Sequence, residues 1–305
     1  MIFLLFGGAG FIGANLAKYL TERGHRVLVA RRRAVAVRPL IKKAIEGLEV
    51  FEYDDPREAV VKSRPDVIVN LVAALHGGRK EVWDANVGFP QRLCSALSQA
   101  GWSGRLIHIS GATVVGPIGT TVKEEEEHLV GIRPATYFDE TKAEGERIIS
   151  KCANNWVIIR PTAVYGPYND HPEWAKLVDL ARRGLAPRLS LSFSAISVSD
   201  LSEIVERAVH ITARQYFFAT QCEPLSFNEV ITALEEAAGR RLVKLPMPLA
   251  LARALAPPSI RGLLKYAGIK FSCEKLRSLL GYEPKYRRDD MVDMFRILWS
   301  STTRL

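Results

Sequence analysis

Six residues without a charge, Met1 to Phe6, run directly into Gly7-Gly8-Ala9-Gly10-Phe11-Ile12-Gly13, and a helix-like pattern follows from Asn15 to Arg23. An apolar run, glycines three apart and then a helical period predict a buried strand, a tight turn and a helix start. Glycine at the turn permits positive φ. Glycine beneath a pyrophosphate lets the backbone come close, and a third glycine lets the helix pack against the strand. The helix N-terminus then presents free N–H groups and the positive end of its dipole to phosphate. A glycine triplet alone is weak; one placed between a strand and a helix has the context that a dinucleotide site requires. Gly7, Gly10 and Gly13, with Phe11 and Ile12 at the helix start, are therefore the first candidate cofactor-binding residues.

The first half of the chain goes on alternating strand and helix signals. Strands are expected at Val27–Ala30, Leu48–Tyr53, Val67–Leu71, Arg105–Ile109 and Trp156–Ile159. Helices are expected at Arg57–Ser63, over a long stretch from Glu81 to Gln99, and at Glu140–Cys152. That alternation predicts an α/β protein with a doubly wound parallel sheet, joined by right-handed crossovers. After Pro167 the pattern changes to a helix at Glu173–Arg183, a strand-like Ser190–Val198, a helix at Glu203–His210 and a strand at Arg214–Thr220. Ser226 with Glu229 reads as a capping box opening a helix that ends near Gly239. Further helices are expected at Leu249–Leu255, Ile260–Tyr266 and Cys273–Leu280. The expected division is a dinucleotide-binding domain over residues 1–167, with a return segment near 195–220, and a smaller C-terminal α+β substrate domain over 168–305.

The net charge of +9 favours anionic partners such as nucleotides. No zinc-finger spacing and no basic tract with interleaved aromatics is present, so nucleic acid is not expected as a partner. No apolar run reaches the roughly 18 residues of a membrane span. The apolar but proline-broken Leu245–Leu263 reads as a lid or core segment. Cys94, Cys152, Cys222 and Cys273 are widely spaced and form no CxxC motif. With no secretion signal they read as buried or free thiols in a cytoplasmic, reducing setting. No clustered metal ligands are visible, and Asp170-His171 alone is not a metal site.

An acid about twenty residues after the glycines would bind a ribose 2′-hydroxyl, whereas an arginine there accommodates a 2′-phosphate. No acid occurs between Glu22 and Glu46, and the second strand ends in Arg31-Arg32-Arg33. Guanidinium groups pair bidentately with phosphate. Arg31 and Arg32 therefore point to NADP over NAD. Asp54, after the third strand, is placed to meet an adenine edge, or else serves only as a turn residue.

An ordered series of motifs carries a family resemblance through most of the chain. It comprises Gly7-x-x-Gly10-x-x-Gly13, Asn70-Leu71-Val72-Ala73-Ala74, Asn86, and Ile107-His108-Ile109-Ser110 leading to Val114-Val115-Gly116. Thr141-Lys142-Ala143-Glu144, Arg160-Pro161-Thr162-Ala163-Val164-Tyr165-Gly166-Pro167, Val198-Ser199-Asp200-Leu201 and Leu279-Leu280-Gly281-Tyr282-Glu283-Pro284 follow. The chain resembles the extended short-chain dehydrogenase/reductases, the NAD(P)-dependent epimerases, dehydratases and reductases, many of which act on nucleotide sugars. In its arginine-bearing second strand it also resembles the NAD(P)H-binding accessory subunit of respiratory complex I. The resemblance adds Leu71, Ala73, Asn86, Lys142, Pro161 and Val164 to the expected cofactor contacts. It also implies a homodimer through the helices at Glu81–Gln99 and Glu140–Cys152.

The family mechanism pairs hydride transfer with acid/base catalysis by a tyrosine, whose pKa a lysine one helical turn later lowers. A Ser or Thr at the end of the fifth strand bonds the substrate oxygen. Here Lys142 is present, but Phe138 stands four residues before it and Tyr137 is one place early. Five residues overshoot the lysine's face by roughly 140° in an α-helix. The family's Ser/Thr position likewise falls on Gly111, with Ser110 one residue earlier and Thr113 a nearby substitute. Two readings follow. Tyr137 and Ser110 have shifted together in a working enzyme, or the acid/base pair is lost and the chain is a dinucleotide-binding sensor or accessory subunit. His76 and Arg79 lie at the carboxyl end of the fourth strand, the ligand-binding edge of such sheets. Arg182 and Arg183 are candidates for a substrate diphosphate or a charged helix end, and Glu124–Glu127 reads as a solvated run.

Overall fold

The computed structural model describes residues 1–75, 77–212, 214–255 and 264–301. Seven parallel strands make the central sheet: β1 (Ile2–Phe6), β2 (Arg26–Arg32), β3 (Glu49–Tyr53), β4 (Val67–Asn70), β5 (Arg105–Ile109), β6 (Trp156–Pro161) and β7 (Gln215–Ala219). Their spatial order is β7-β6-β5-β4-β1-β2-β3, with every pair parallel. The direction of winding reverses between β1 and β4, which is where open α/β sheets bind ligands.

Side chains alternate across the strands and both faces are covered. Phe3, Leu5, Val27, Val29, Val67, Val69, Ile107, Ile109, Val157 and Phe217 share one core with helices α1 (Phe11–Glu22) and α7 (Val198–Ala208). Leu4, Phe6, Leu28, Ile68, Leu106 and Ile158 enter the other, beneath α2 (Pro56–Ser63), α4 (Phe89–Gln99) and α5 (Tyr137–Cys152). Burial on both faces explains why these strands read as unbroken apolar runs. A separate core gathers α6 (Pro172–Arg182), α8 (Phe227–Ala238) and α9 (Arg288–Ser301) around Val178, Leu234, Met294 and Phe295. The Ser226–Glu229 capping box is formed, and Gly239 closes α8 in the left-handed conformation. The strand pair 185–188 with 243–246, and helix α9, carry no expectation in the sequence reading. The segment expected as a helix at Ile260–Tyr266 lies partly outside the described residues, and 264–266 form one 3₁₀ turn.

The long helix expected over Glu81–Gln99 is three pieces: α3 (Arg79–Trp83), a π-helical turn at Asp84–Gly88, and α4. Pro90 has no N–H to give an interior helical bond, and the Phe89 N–H reaches back five residues to the Asp84 carbonyl. The wider turn carries Asn86 against α5. There Gly145 permits close approach, since a Cβ at that position would lie 2.4 Å from the Asn86 carbonyl oxygen.

The cysteines correct the expectation of free thiols. Cys94 is bonded to Cys152 and Cys222 to Cys273, and no described cysteine is free. Their wide spacing in sequence hid pairings that only the tertiary fold creates. The first disulfide ties α4 to the end of α5 and closes a separation of 58 residues. A loop of that size gives about 4 kcal/mol in the chain-entropy model. The double variant Cys94→Ala/Cys152→Ala should therefore unfold at lower denaturant by about 2–4 kcal/mol, as read by equilibrium urea titration.

Candidate active site

The glycine turn is built as a cradle. Gly7 has φ of +81°, and a Cβ there would lie 2.8 Å from the backbone of Leu71 and Val72. A Cβ on Gly13 would lie 2.5 Å from Gly8 Cα, so the third glycine lets α1 sit on the turn. At Gly10 a Cβ would meet only the Gly7 carbonyl, at 3.2 Å. Gly10 is the N-cap of α1 with no side-chain cap, and the N–H groups of Phe11, Ile12 and Gly13 have no acceptor among the described residues. These donors and the dipole end fit a pyrophosphate. The Phe11 ring itself is buried against Ile41 and Val198, so that residue offers its backbone rather than its ring. Ile12 and Val164 pack against the same cluster, which brings two further candidates to the cradle. Leu71 and Ala73 follow β4 in an irregular segment that the Leu71 N–H anchors to the Phe6 carbonyl. Pro161 ends β6 beside Ala219.

At the end of β2 each arginine has an acidic partner. Arg31 pairs with Glu52, its neighbour across β3, Arg33 with Asp54, and Arg32 lies 3.7 Å from Asp84. Asp54, exposed just after β3, is held by Arg33.

Lys142 is buried under the end of β5, where its Nζ donates to the Ile109 carbonyl at 2.8 Å. Burial pulls its ammonium down to about 8, while Glu146 opposes the shift. One turn on, Glu146 is fully buried and accepts from Arg160 on β6 and from His128, both at 2.8 Å. Burial pushes Glu146 up, but Arg160, His128 and Ser110 outweigh it and hold it at about 2. The buried Ser110 hydroxyl makes no hydrogen bond of ordinary geometry, although it lies near enough to Glu146 to favour the ionised form. Beside them His108 bonds Asn70, and burial followed by Lys142 pulls it down to about 3, so it is neutral.

The acidic run is not merely solvated. Glu124 accepts the Phe218 N–H at 2.7 Å and Glu125 pairs with Arg160 at 2.8 Å. The sequence withheld this because their partners lie on strands far along the chain.

Tyr137, Asn86 and Arg182 each have partners within the protein. Helix α5 begins regularly at Tyr137 behind the Thr136 cap, with no bulge to move Tyr137 onto the lysine's face. Tyr137 shares the face of Thr141, which meets Asn86. Its hydroxyl donates to the Arg79 carbonyl at 3.3 Å and the Arg79 guanidinium covers its ring at 4.0 Å. Phe138 holds the position one turn before Lys142. Asn86 is 1% exposed and both its N–H donors are used: it clamps Ala74 through both backbone groups and donates to Thr141. It fixes the backbone at Ala74, in the irregular segment after β4. Arg182 donates to the Trp299 carbonyl and lies over that ring, so it braces the second core. His76 lies outside the described residues.

Thr113 is engaged as well. Its hydroxyl donates to Asp139, which also accepts from Thr136 at 2.7 Å, and Tyr266 donates to the Thr113 carbonyl at 3.0 Å. Burial raises the Asp139 pKa, against the lowering effect of the two threonines.

A family model described as the NAD dependent epimerase/dehydratase family matches residues 3–195. The chain belongs to that family. It is an NAD(P)-dependent enzyme of the epimerase, dehydratase or reductase type. The chain is 26% identical to sterol demethylase protein B of Methylococcus capsulatus, with 84% of this chain and 80% of that protein covered. It is 28% identical to UDP-glucose 4-epimerase of Vibrio cholerae, covering 81% and 78%. The fold matches UDP-glucuronic acid 4-epimerase from Bacillus cereus in complex with NAD, at a TM-score of 0.77, 19% identity and 98% coverage of both chains. The glycine cradle fits NAD(H). Among the described residues no helix is long and apolar enough to cross a membrane, and no group of metal-binding side chains is present.

Gly13→Ala should distort the turn and weaken NADH binding at least tenfold, read by fluorescence titration. The lowered Lys142 pKa gives a second prediction. The unfolded lysine holds its proton to about 10.4 and the folded one only to about 8. Between these values the unfolded state binds more protons, so stability rises with pH. Lys142→Met should remove that rise from about pH 8 to 10 in denaturant titrations.

Proposed function

We propose that the chain transfers a hydride between a nicotinamide dinucleotide, NADP(H) in preference to NAD(H), and a carbon bearing a hydroxyl or carbonyl group. The substrate is a nucleotide sugar or a related hydroxyl compound. The observation that carries this reading is Lys142, buried beside Ser110 at the end of β5, on the same sheet edge as the glycine cradle. When bound, the nicotinamide supplies the hydride acceptor or donor. The cradle N–H groups bind the pyrophosphate, Lys142 holds the nicotinamide ribose, and Ser110 or Thr113 orients the substrate oxygen. Relatives named as acting on UDP-glucose and on sterols favour the two substrate classes.

Arg31 and Arg32 favour the 2′-phosphate. Their pairing with Glu52 and Asp84 reduces that preference without reversing it. A homodimer through α3, α4 and α5 belongs to the same reading, with Trp83 46% exposed at that face. A cytoplasmic location would require the two disulfides to persist in that compartment, where disulfides are rare outside hyperthermophiles.

Titration of protein-to-nicotinamide fluorescence transfer tests the cofactor. NADPH should bind more tightly than NADH. Arg31→Ala should remove the difference, a loss of about tenfold in NADPH affinity, while Glu52→Gln should raise NADPH affinity severalfold. Tighter binding of NADH by the wild type would refute the role of Arg31. Absence of binding to either would sink the whole reading. Binding of both without turnover of UDP-sugars or hydroxysteroids would exclude those two substrate classes.

A further inference from the structure

Two hydroxyls that the family chemistry needs are missing from their usual positions. Gly111 has no side chain, and Phe138 has no hydroxyl. The space beside Gly111 is nevertheless not without one. A Cβ built on Gly111 meets a single neighbour, Thr113 Oγ1 at 3.9 Å. A hydroxyl carried on that Cβ would fall in the same small region. Thr113 is half-buried and follows β5 at the ligand edge of the sheet. Its proton is committed to Asp139, so its oxygen lone pairs are what it offers to anything entering the site.

Asp139 is the residue next to Phe138 and three before Lys142, so it neighbours the lysine on the helix surface. It is 2% exposed, and Thr113 and Thr136 each donate to one of its oxygens. Tyr266, from the turn at 264–266, is the titratable group facing it, and Lys142 follows on its own helix. Thr136 and Asp139 also form the cap of α5, and capping alone would account for a carboxylate there. Capping does not account for Thr113, which comes from the 3₁₀ turn after β5, at the ligand edge of the sheet.

We infer that Thr113 and Asp139 together replace the missing Ser/Thr and tyrosine hydroxyls, with Thr113 contacting the substrate oxygen and Asp139 receiving its proton through Thr113. The inference rests on the reading of the chain as a hydride-transfer enzyme. In the oxidative direction the substrate O–H bond breaks and its proton passes to Thr113 Oγ1, while the Thr113 O–H bond breaks toward Asp139 Oδ1. The electron pair of the broken O–H bond becomes the second C–O bond as the carbon gives up its C–H hydride, for which a bound nicotinamide would be the acceptor. Thr113 is again a hydroxyl and Asp139 a neutral acid. The reductive direction returns both protons. A carboxyl raised by burial suits this exchange better than a fully exposed one.

The test has two arms on the full chain. In the first, carboxyl infrared difference spectra of wild type against Asp139→Asn follow the titration of Asp139 with no substrate present. Asp139 should titrate above the ordinary value, and Thr113→Val should move it further up. Titration at or below the ordinary value, or indifference to Thr113→Val, overturns the inference. In the second, wild type, Asp139→Asn, Thr113→Val and Thr136→Ala are assayed with UDP-glucose, and with a 3β-hydroxysteroid, against both dinucleotides. Asp139→Asn and Thr113→Val should lower kcat about 100-fold or more with dinucleotide affinity unchanged. Thr136→Ala removes the cap and the second hydroxyl donor to Asp139 but leaves Thr113 in place, so it should lower kcat far less than Thr113→Val and lose about 1 kcal/mol of stability. Wild-type kcat in Asp139→Asn, or an equal loss in Thr136→Ala, overturns the inference in favour of a purely structural cap. A wild type that turns over neither probe counts against the enzyme reading for those substrates, and the titration then decides whether the Thr113–Asp139 coupling exists.

Discussion

The contact on which the site rests is the buried ion pair between Arg160 on β6 and Glu146 on α5, both with no exposed surface. Two charges taken out of water are costly unless every lone pair and proton finds a partner. Arg160 meets this by spreading its guanidinium over Glu146 and Glu125, with Tyr216 beneath it at 5.0 Å. Glu146 adds His128. The network therefore ties a strand, a helix and the acidic loop into one unit. Lys142 and Ser110 lie directly on it. Removing one partner would strand the other charge in the interior, at a cost of about 3–5 kcal/mol.

Much of the fold was legible because its physics is local. The apolar runs of β1, β4, β5 and β6 follow from burial on both faces, and the Ser226–Glu229 cap and Gly239 mark both ends of α8 within their own residues. The cradle was legible for the same reason: Gly7, Gly10 and Gly13 each have a requirement that only glycine meets, or an opening that only glycine leaves. What was not legible depended on partners distant in sequence. Neither disulfide, nor the burial of Glu124 and Glu125, nor the break at Asp84–Gly88 has a signature in its own neighbourhood, although Pro90 hinted at the last.

The site itself was half legible. Counting residues located Lys142 and exposed the mismatch at Phe138, and the helix proved regular enough for that count to hold. It could not locate Asp139, because an aspartate three residues after a threonine is ordinary cap chemistry. Its significance comes from Thr113, reached across the fold. Asn86 fits the motif, and the structure adds that both its N–H donors are held within the protein by Ala74 and Thr141, which no local pattern announces.

Strand β7 has a consequence for how the chain comes off the ribosome. It lies beside β6, yet residues 162–214, including α6 and α7, intervene before it is made. The acidic loop near Glu124 is synthesised long before, and its anchor on the Phe218 N–H arrives some ninety residues later, a separation of 94. At synthesis rates of about 5–20 residues per second, Arg160 and then Phe218 emerge seconds behind their carboxylates. Over that interval the nascent chain carries a sheet with an open edge and acids without their cations. The glycine turn at residues 7–13 and its contact at Leu71 are made early, but Phe11 waits for Val164 and Val198 before its packing is complete.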